Sequence, residues 1–311
     1  MGSVAQESSN ISVFRVPTIE EIREARKKRL TIAMLSVYGD ESSDETGETV
    51  FAVAGLIGPR EEWDALKPIW YKRTGGKIFH AADCETGYHD YAGIDLESRL
   101  QEYKDLTQII CASQLWGYGV AIDISAYRTC IQHITERYEP YFYCFIRAIT
   151  YFACIATHQK TLGKANFIFD RNCKTRFSSV ILVEYLANMK VYQESSFIGS
   201  ITFSSIDDIE IQVADLLARE TMKHLYNIIG PKQIPIRKSI LSLKNTNRFE
   251  FDFLDSNYFE LKFKPMIKSI ETNSGRNRQD YLDWLCKNKL DDNLNTIIRY
   301  LIYLDSLKIK D

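Results

Sequence analysis

Asp215 is the residue hardest to account for by packing alone. It interrupts Ile211-Gln212-Val213-Ala214-Asp215-Leu216-Leu217-Ala218, a helical stretch with apolar residues on several sides. A carboxylate there is costly unless it is paired or bound to a metal. Gln212, Asp215 and Arg219 fall at i, i+3 and i+7 and share a helix face, so a salt bridge from Asp215 to Arg219 is the simplest account. Two further carboxylates follow strand-like runs: Asp40 after Leu30–Tyr38 and Asp170 after Ala165–Phe169. In open α/β sheets, sites form beyond the carboxyl ends of strands, where the chain direction switches. If the first and fourth strands are neighbours, Asp40 and Asp170 emerge together, and a helix across that edge delivers Asp215. Three converging carboxylates repel one another, and a divalent cation relieves the repulsion. Hard oxygen ligands suit Mg²⁺ or Mn²⁺, with the other positions left to water and a substrate phosphate. Two such ions ~3.5–4 Å apart activate water and stabilise the leaving oxygen in phosphodiester hydrolysis. The expected catalytic and metal-binding set is therefore Asp40, Asp170 and Asp215.

Other residues are candidates for supporting roles. Glu41 is a ligand only if the chain turns at Asp40, because strand alternation otherwise sends it to the opposite face. His80 could move a proton to a leaving oxygen or touch a phosphate, or simply fill a loop beside Asp83. Gln212 could orient Asp215 or bind substrate. Arg171, Lys174 and Arg176 follow Asp170 closely and make a candidate phosphate-facing loop, or else a solvated helix entry. Asp123 reads as a strand-end turn residue, and nothing chooses between Glu136 and Glu139 as a further acid. Cys173 has no histidine beside it in sequence and is a poor nucleophile candidate.

The elements that must position these groups follow from hydrophobic patterning and turn signals. Residues 1–30 read as a polar arm and a helix beginning near Thr18 that ends in Arg26-Lys27-Lys28-Arg29. Apolar runs at Leu30–Tyr38 and Val50–Ile57 read as adjacent strands. A helical insert at about residues 59–113 separates them from a third strand at Leu115–Asp123. Buried helices are expected in Ala126–Gln159, a fourth strand at Ala165–Phe169, a helix at Arg176–Val191, a fifth strand at Ser196–Phe203 and a closing helix at Asp208–Ile229. The core is thus assigned to residues 31–230 and an extension to residues 231–311. The extension carries 15 Lys/Arg against 11 Asp/Glu, and the residues before it 24 against 30. It holds aromatic positions such as Phe249, Phe251 and Phe253 and is expected to fold onto the body.

The overall charge of −2 argues against a protein that coats nucleic acid by bulk charge, while leaving a carboxylate-based enzyme open. Seven scattered cysteines without a Cys-x-x-Cys pair suit reduced thiols better than a disulfide frame or structural zinc. No signal peptide or membrane span is visible, so a cytoplasmic location and no membrane partner are expected. Motifs for P-loop, dinucleotide, zinc-protease or nucleophile-elbow chemistry are missing.

Four stretches carry a resemblance: Tyr38-Gly39-Asp40-Glu41-Ser42, Phe79-His80-Ala81-Ala82-Asp83, Phe169-Asp170 and the helix around Gln212-Val213-Ala214-Asp215. Together they resemble the bacterial and phage family catalogued as domain of unknown function 3800. That family shows an Asp-Glu-Ser-Gly turn, a His-Ala pair, an Asp after a strand and a terminal Gln-x-Ala-Asp-x-x-Ala helix. The likeness covers roughly residues 30–229, and Ser43 departs from the family glycine. It implies a ribonuclease H-like α/β fold, a mixed five-stranded sheet flanked by helices. It also implies a metal-dependent nuclease, with nucleic acid as partner and a phage-defence or mobile-element setting. The extension is a candidate for gripping nucleic acid or a partner protein. The rival reading keeps the fold without the chemistry, as a binding or effector module whose carboxylates pair with Arg or Lys.

Overall fold

The computed structural model describes residues 35–131, 140–158, 165–170, 198–232 and 234–263. Its centre is a six-stranded mixed sheet: β1 (Leu35–Ser43), β2 (Val50–Pro59), β3 (Trp116–Asp123), β4 (Ala165–Asp170), β5 (Ile198–Ser204) and β6 (Phe249–Leu254). The spatial order is β5-β4-β1-β2-β3-β6. The first three strands form an antiparallel meander, β4 and β5 run parallel to β1, and β6 runs parallel to β3. The expected neighbourhood of the first and fourth strands is therefore present. The expected count of five strands is corrected to six, because the Phe249-Glu250-Phe251-Asp252-Phe253 alternation of the extension adds a strand beside β3.

The insert between β2 and β3 is helical: α1 (Arg60–Thr74), α2 (Ala81–Thr86), a 3-10 turn at His89–Tyr91, and α3 (Leu96–Ala112). Asp95 caps α3 by accepting from the Ser98 backbone N–H, and Gly75 ends α1 in the left-handed conformation. After β3 come α4 (Ile124–Ile131) and α5 (Pro140–His158). After β5 come α6 (Ile209–Ile229) and α7 (Lys238–Lys244). A helical turn at Ser256–Tyr258 and a π-helical turn at Phe259–Phe263 follow β6. The N-terminal helix near Thr18, the helix expected at Arg176–Val191 and the extension beyond Phe263 lie outside the described residues.

Two helical layers cover the sheet. On one face α5 packs through Phe145 on Phe169 and Tyr141 on Phe51, and the Phe152 ring lies against Gly55. On the other, α6 crosses β1, β2 and β3, backed by the insert in a core built from Leu56, Trp63, Trp70, Phe79, Leu106 and Leu217. Small residues bring α6 close. A Cβ on Gly119 would collide with Thr221, and one on Gly117 would press on Leu217 and Phe249. Among the described residues no helix is long and apolar enough to cross a membrane, and Cys84, Cys111 and Cys144 are free thiols.

Candidate active site

The sheet register sets Asp40 beside Asp170. Strand β1 does not stop at Tyr38 as expected but continues to Ser43, held by pairing of Asp40 with Ala54 and Ser43 with Phe51 on β2. On its other side Gly39 pairs with Phe169 of β4, so the next residues, Asp40 and Asp170, stand side by side and share a face. It is the face of Tyr38, whose ring packs edge-on against Trp63 of α1 at 4.8 Å, and hence the face covered by α6. Asp40 is 8% exposed, and its Oδ1 accepts the Glu41 backbone N–H at 2.7 Å. Burial first, then the charge of Asp215, then that of Asp170 push its carboxyl well above the ordinary range, against the pull of the Glu41 N–H. No Lys, Arg or His among the described residues pairs with it.

Asp215 reaches the same place from α6. It is 4% exposed, and its Oδ2 accepts the backbone N–H of Ala81 at 2.6 Å, from the first turn of α2. Burial pushes its carboxyl up, while charge on His80, the Ala81 N–H and Arg219 pull it back. The expected salt bridge to Arg219 is corrected: the Arg219 Nε pairs with Glu85 Oε2 at 2.8 Å, so Arg219 acts on Asp215 only through its field. Asp40 is thus within electrostatic reach of both other aspartates named from sequence.

His80 immediately precedes α2 and stands at the mouth of this cluster, its side chain 44% exposed. Its Nδ1 lies 3.4 Å from Asp83 Oδ2 without a hydrogen bond, and His89 Nδ1 approaches the same oxygen at 3.0 Å. Gln212 does not present its amide to substrate, which corrects that expectation. It is 3% exposed; its Oε1 accepts from Trp70 Nε1 at 3.0 Å and from the Phe79 N–H at 3.1 Å, and its Nε2 donates to the Ile206 carbonyl at 3.0 Å. It ties α6 to Phe79, the residue before His80, and makes no hydrogen bond to Asp215. Glu41 is likewise moved off the acidic face, because the strand continues past it and alternation turns its side chain away from Asp40. Its backbone N–H hydrogen-bonds Asp40, and its charge adds a smaller upward push on that carboxyl. Asp123 accepts the Ala126 N–H at 2.9 Å at the start of α4, the turn role expected of it. Arg171, Lys174, Arg176, Cys173, Glu136 and Glu139 lie outside the described residues.

Sequence reasoning missed the charged network behind the site. Arg237, on the segment after α6, pairs with Glu85 Oε1 at 2.6 Å and with Glu220 Oε1 at 2.7 Å. Ser239 donates to Glu220, which is fully buried. The available signal was the spacing Arg219-Glu220 inside an apolar helix, a second place where charge stands against the pattern. Nearer the sheet, Lys67 Nζ pairs with Glu210 at 2.5 Å, and burial and Glu210 push the Tyr38 hydroxyl up to about 12.

The donor chemistry can be weighed against a metal. Among the described residues no group of three or more His, Cys, Asp or Glu side chains is placed to hold a metal ion. Mg²⁺ does not require one: it keeps several waters and takes one or two protein carboxylates plus substrate phosphate. Asp40 and Asp215, both buried, with the charge of Asp215 acting on Asp40 and no cation paired to Asp40 among the described residues, suit that mode of binding as two carboxylates. The chain matches no family model and no curated protein.

Proposed function

We propose that this chain is a divalent-metal-dependent nuclease, hydrolysing phosphodiester bonds of nucleic acid on a ribonuclease H-like core. The observation that carries the reading is Asp40. It is a buried carboxylate without a cationic partner among the described residues, facing Asp215 and Asp170, whose charges raise its proton affinity. Such an arrangement is unfavourable in isolation and favourable around a divalent ion. The rival binding module would have its carboxylates paired to Arg or Lys, and the arginine nearest in sequence pairs elsewhere. The strand order supports the fold reading, with an antiparallel meander followed by two strands parallel to the first and β6 added at the edge. The sequence resemblance adds a phage-defence or mobile-element setting to the proposal.

Asp40, Asp170 and Asp215 would hold Mg²⁺ or Mn²⁺. Bound there, the ion supplies an activated water and charge neutralisation at the phosphate. The Glu41 and Ala81 backbone N–H groups fix the Asp40 and Asp215 carboxylates, so these need not reorganise when substrate arrives. Gln212 holds the segment before α2 in place, and His80 at the mouth delivers a proton to the leaving oxygen. The test is incubation with labelled single- and double-stranded DNA and RNA in Mg²⁺, Mn²⁺ or chelator. Asp40→Ala, Asp170→Ala and Asp215→Ala proteins run in parallel. Cleavage that needs the metal and is lost in all three, with melting transitions retained, supports the reading. Cleavage in chelator, or survival of activity in any variant, removes the metal or that residue from it. A folded protein that cuts none of the four substrates in either metal returns the reading to the binding module.

A further inference from the structure

His80 and Asp83 bracket the first turn of α2, and the nuclease reading uses only the first of them. His80 is the N-cap residue of that helix but makes no side-chain cap, so its ring is not spent on the helix end. The ring's Nδ1 is buried and has no hydrogen-bond partner, while the side chain stays partly exposed on the edge away from Nδ1. The carboxylate facing Nδ1 is that of Asp83, whose Oδ2 lies 3.4 Å away. A buried N–H without an acceptor is unfavourable, and hydrogen bonds between catalytic groups are often long before substrate arrives. The turn after α2 holds Asp83 from the other side. The Gly87 and Tyr88 backbone N–H groups donate to the Asp83 carbonyl at 2.7 and 3.3 Å. His89, at φ 47° in the left-handed region, brings its Nδ1 to 3.0 Å from the same Oδ2. One carboxylate oxygen has two lone pairs and serves both rings. The pair borders the acidic cluster: after burial, the charge on His80 is the largest influence on the Asp215 carboxyl, and that on Asp83 acts on it as well.

We propose that Asp83 is a positioning residue for His80: its Oδ2 takes the Nδ1–H hydrogen bond, fixes the ring, and leaves the Nε2 proton on the exposed edge as the one to be transferred. The proposal rests on the nuclease reading for the reaction and adds the residue that orients the proton donor. In the step, the oxygen of water bonds to phosphorus, and the bond from phosphorus to the leaving oxygen breaks with its electron pair going to that oxygen. The leaving oxygen takes the Nε2 proton, and the proton of the water passes to solvent. His80 ends neutral, with its remaining proton on Nδ1 against Asp83. Without the carboxylate, nothing fixes the ring or selects which nitrogen keeps the proton.

The experiment compares two substrates and reads the ring directly. Asp83→Asn keeps the shape without the charged acceptor. It should cut a natural phosphodiester ~10–100-fold more slowly, the range for a histidine that loses its orienting partner. The second substrate is an oligonucleotide with sulfur in place of the leaving oxygen, whose thiolate departs without a proton. On it the variant should keep most of the wild-type rate. His80→Gln should show the same split. Asp90→Asn, which removes an exposed carboxylate from the turn after α2, should show neither loss. Nitrogen-15 NMR of histidine-labelled protein in chelator reads the neutral ring, with the His80 signals assigned by their disappearance in His80→Gln. The proton should sit on Nδ1 in wild type and shift toward Nε2 in Asp83→Asn. An equal loss on both substrates, a matching loss in Asp90→Asn, or an unshifted tautomer in Asp83→Asn overturns the proposal. A protein that cuts nothing but shows the Asp83-dependent tautomer refutes the nuclease reading alone. Metal-dependent cleavage at an unchanged rate in Asp83→Asn refutes this role alone.

Discussion

Replacing Asp40 by Asn should make the metal-free protein more stable while abolishing cleavage. The amide oxygen can keep the hydrogen bond from the Glu41 N–H, and the shape is nearly unchanged. What disappears is a buried charge facing Asp215 and Asp170. Two like charges at an effective dielectric of ~20 repel by about 2 kcal/mol even at ~8 Å. Removing that repulsion leaves a gain of ~1–2 kcal/mol for the variant wherever Asp40 is ionised in wild type. For a domain of this size that is about 2–6 °C in Tm. The pH dependence has a definite sign. The folded-state pKa of Asp40 is raised above its unfolded value, so wild type regains stability as pH falls through that raised value and loses it as pH rises. The advantage of Asp40→Asn should therefore be larger at an alkaline pH than at an acid one. Thermal melts in chelator at both pH values measure it. Added Mg²⁺ should then raise the wild-type Tm and leave the variant nearly unmoved. A variant less stable than wild type at the higher pH, or an equal Mg²⁺ response in both, would refute the reasoning.

Gln212→Ala strands the Trp70 and Phe79 donors that its Oε1 accepts. It should lower stability by ~2–4 kcal/mol, read from urea midpoints, and depress cleavage by loosening the segment before α2. Gly119→Ala drives a methyl into Thr221; lifting α6 off the sheet should lower stability by ~1–3 kcal/mol and impair cleavage in the same protein. His224 is held neutral by burial and by Lys244, its pKa lowered from 6.5 to about 4, and its ring packs 4.2 Å from Phe253. Stability linked to it is full above its unfolded value and falls as pH drops from about 6.5 through about 4. Denaturant midpoints of His224→Phe should be flatter than wild type across that window, and parallel curves would exclude the linkage.

Much of the sheet was legible because strands buried on both faces read as short apolar runs ended by turn residues. Val50–Pro59 and Trp116–Asp123 follow that rule closely, whereas Ala165–Asp170 is fully buried only at alternate residues. Strand β1 did not, since Gly39-Asp40-Glu41-Ser42 looks like a turn by composition. What keeps it extended is cross-strand pairing with β2, a non-local term absent from any window of sequence. Strand β6 showed its alternation plainly but lay in a Lys- and Asn-rich region, and its partner β3 is more than a hundred residues away. The site was legible where charge violated an apolar pattern, as at Asp215. It was misread where the partner had to be chosen: Arg219 is one turn from Asp215 in sequence, yet its guanidinium turns to Glu85 on the insert.

Synthesis of the chain gives the arrangement of the three aspartates a temporal meaning. Asp40 is made early, Asp170 on a strand that must return beside the first, and Asp215 only on the helix that closes the face. At ~5–20 residues per second, about 10–35 s separate the emergence of the first aspartate from that of the last. Throughout that interval Asp40 lacks at least one of its two companions, so no truncated product ending before α6 holds the full acidic set. Any hydrolytic capacity is therefore withheld from incomplete chains by the order of the strands.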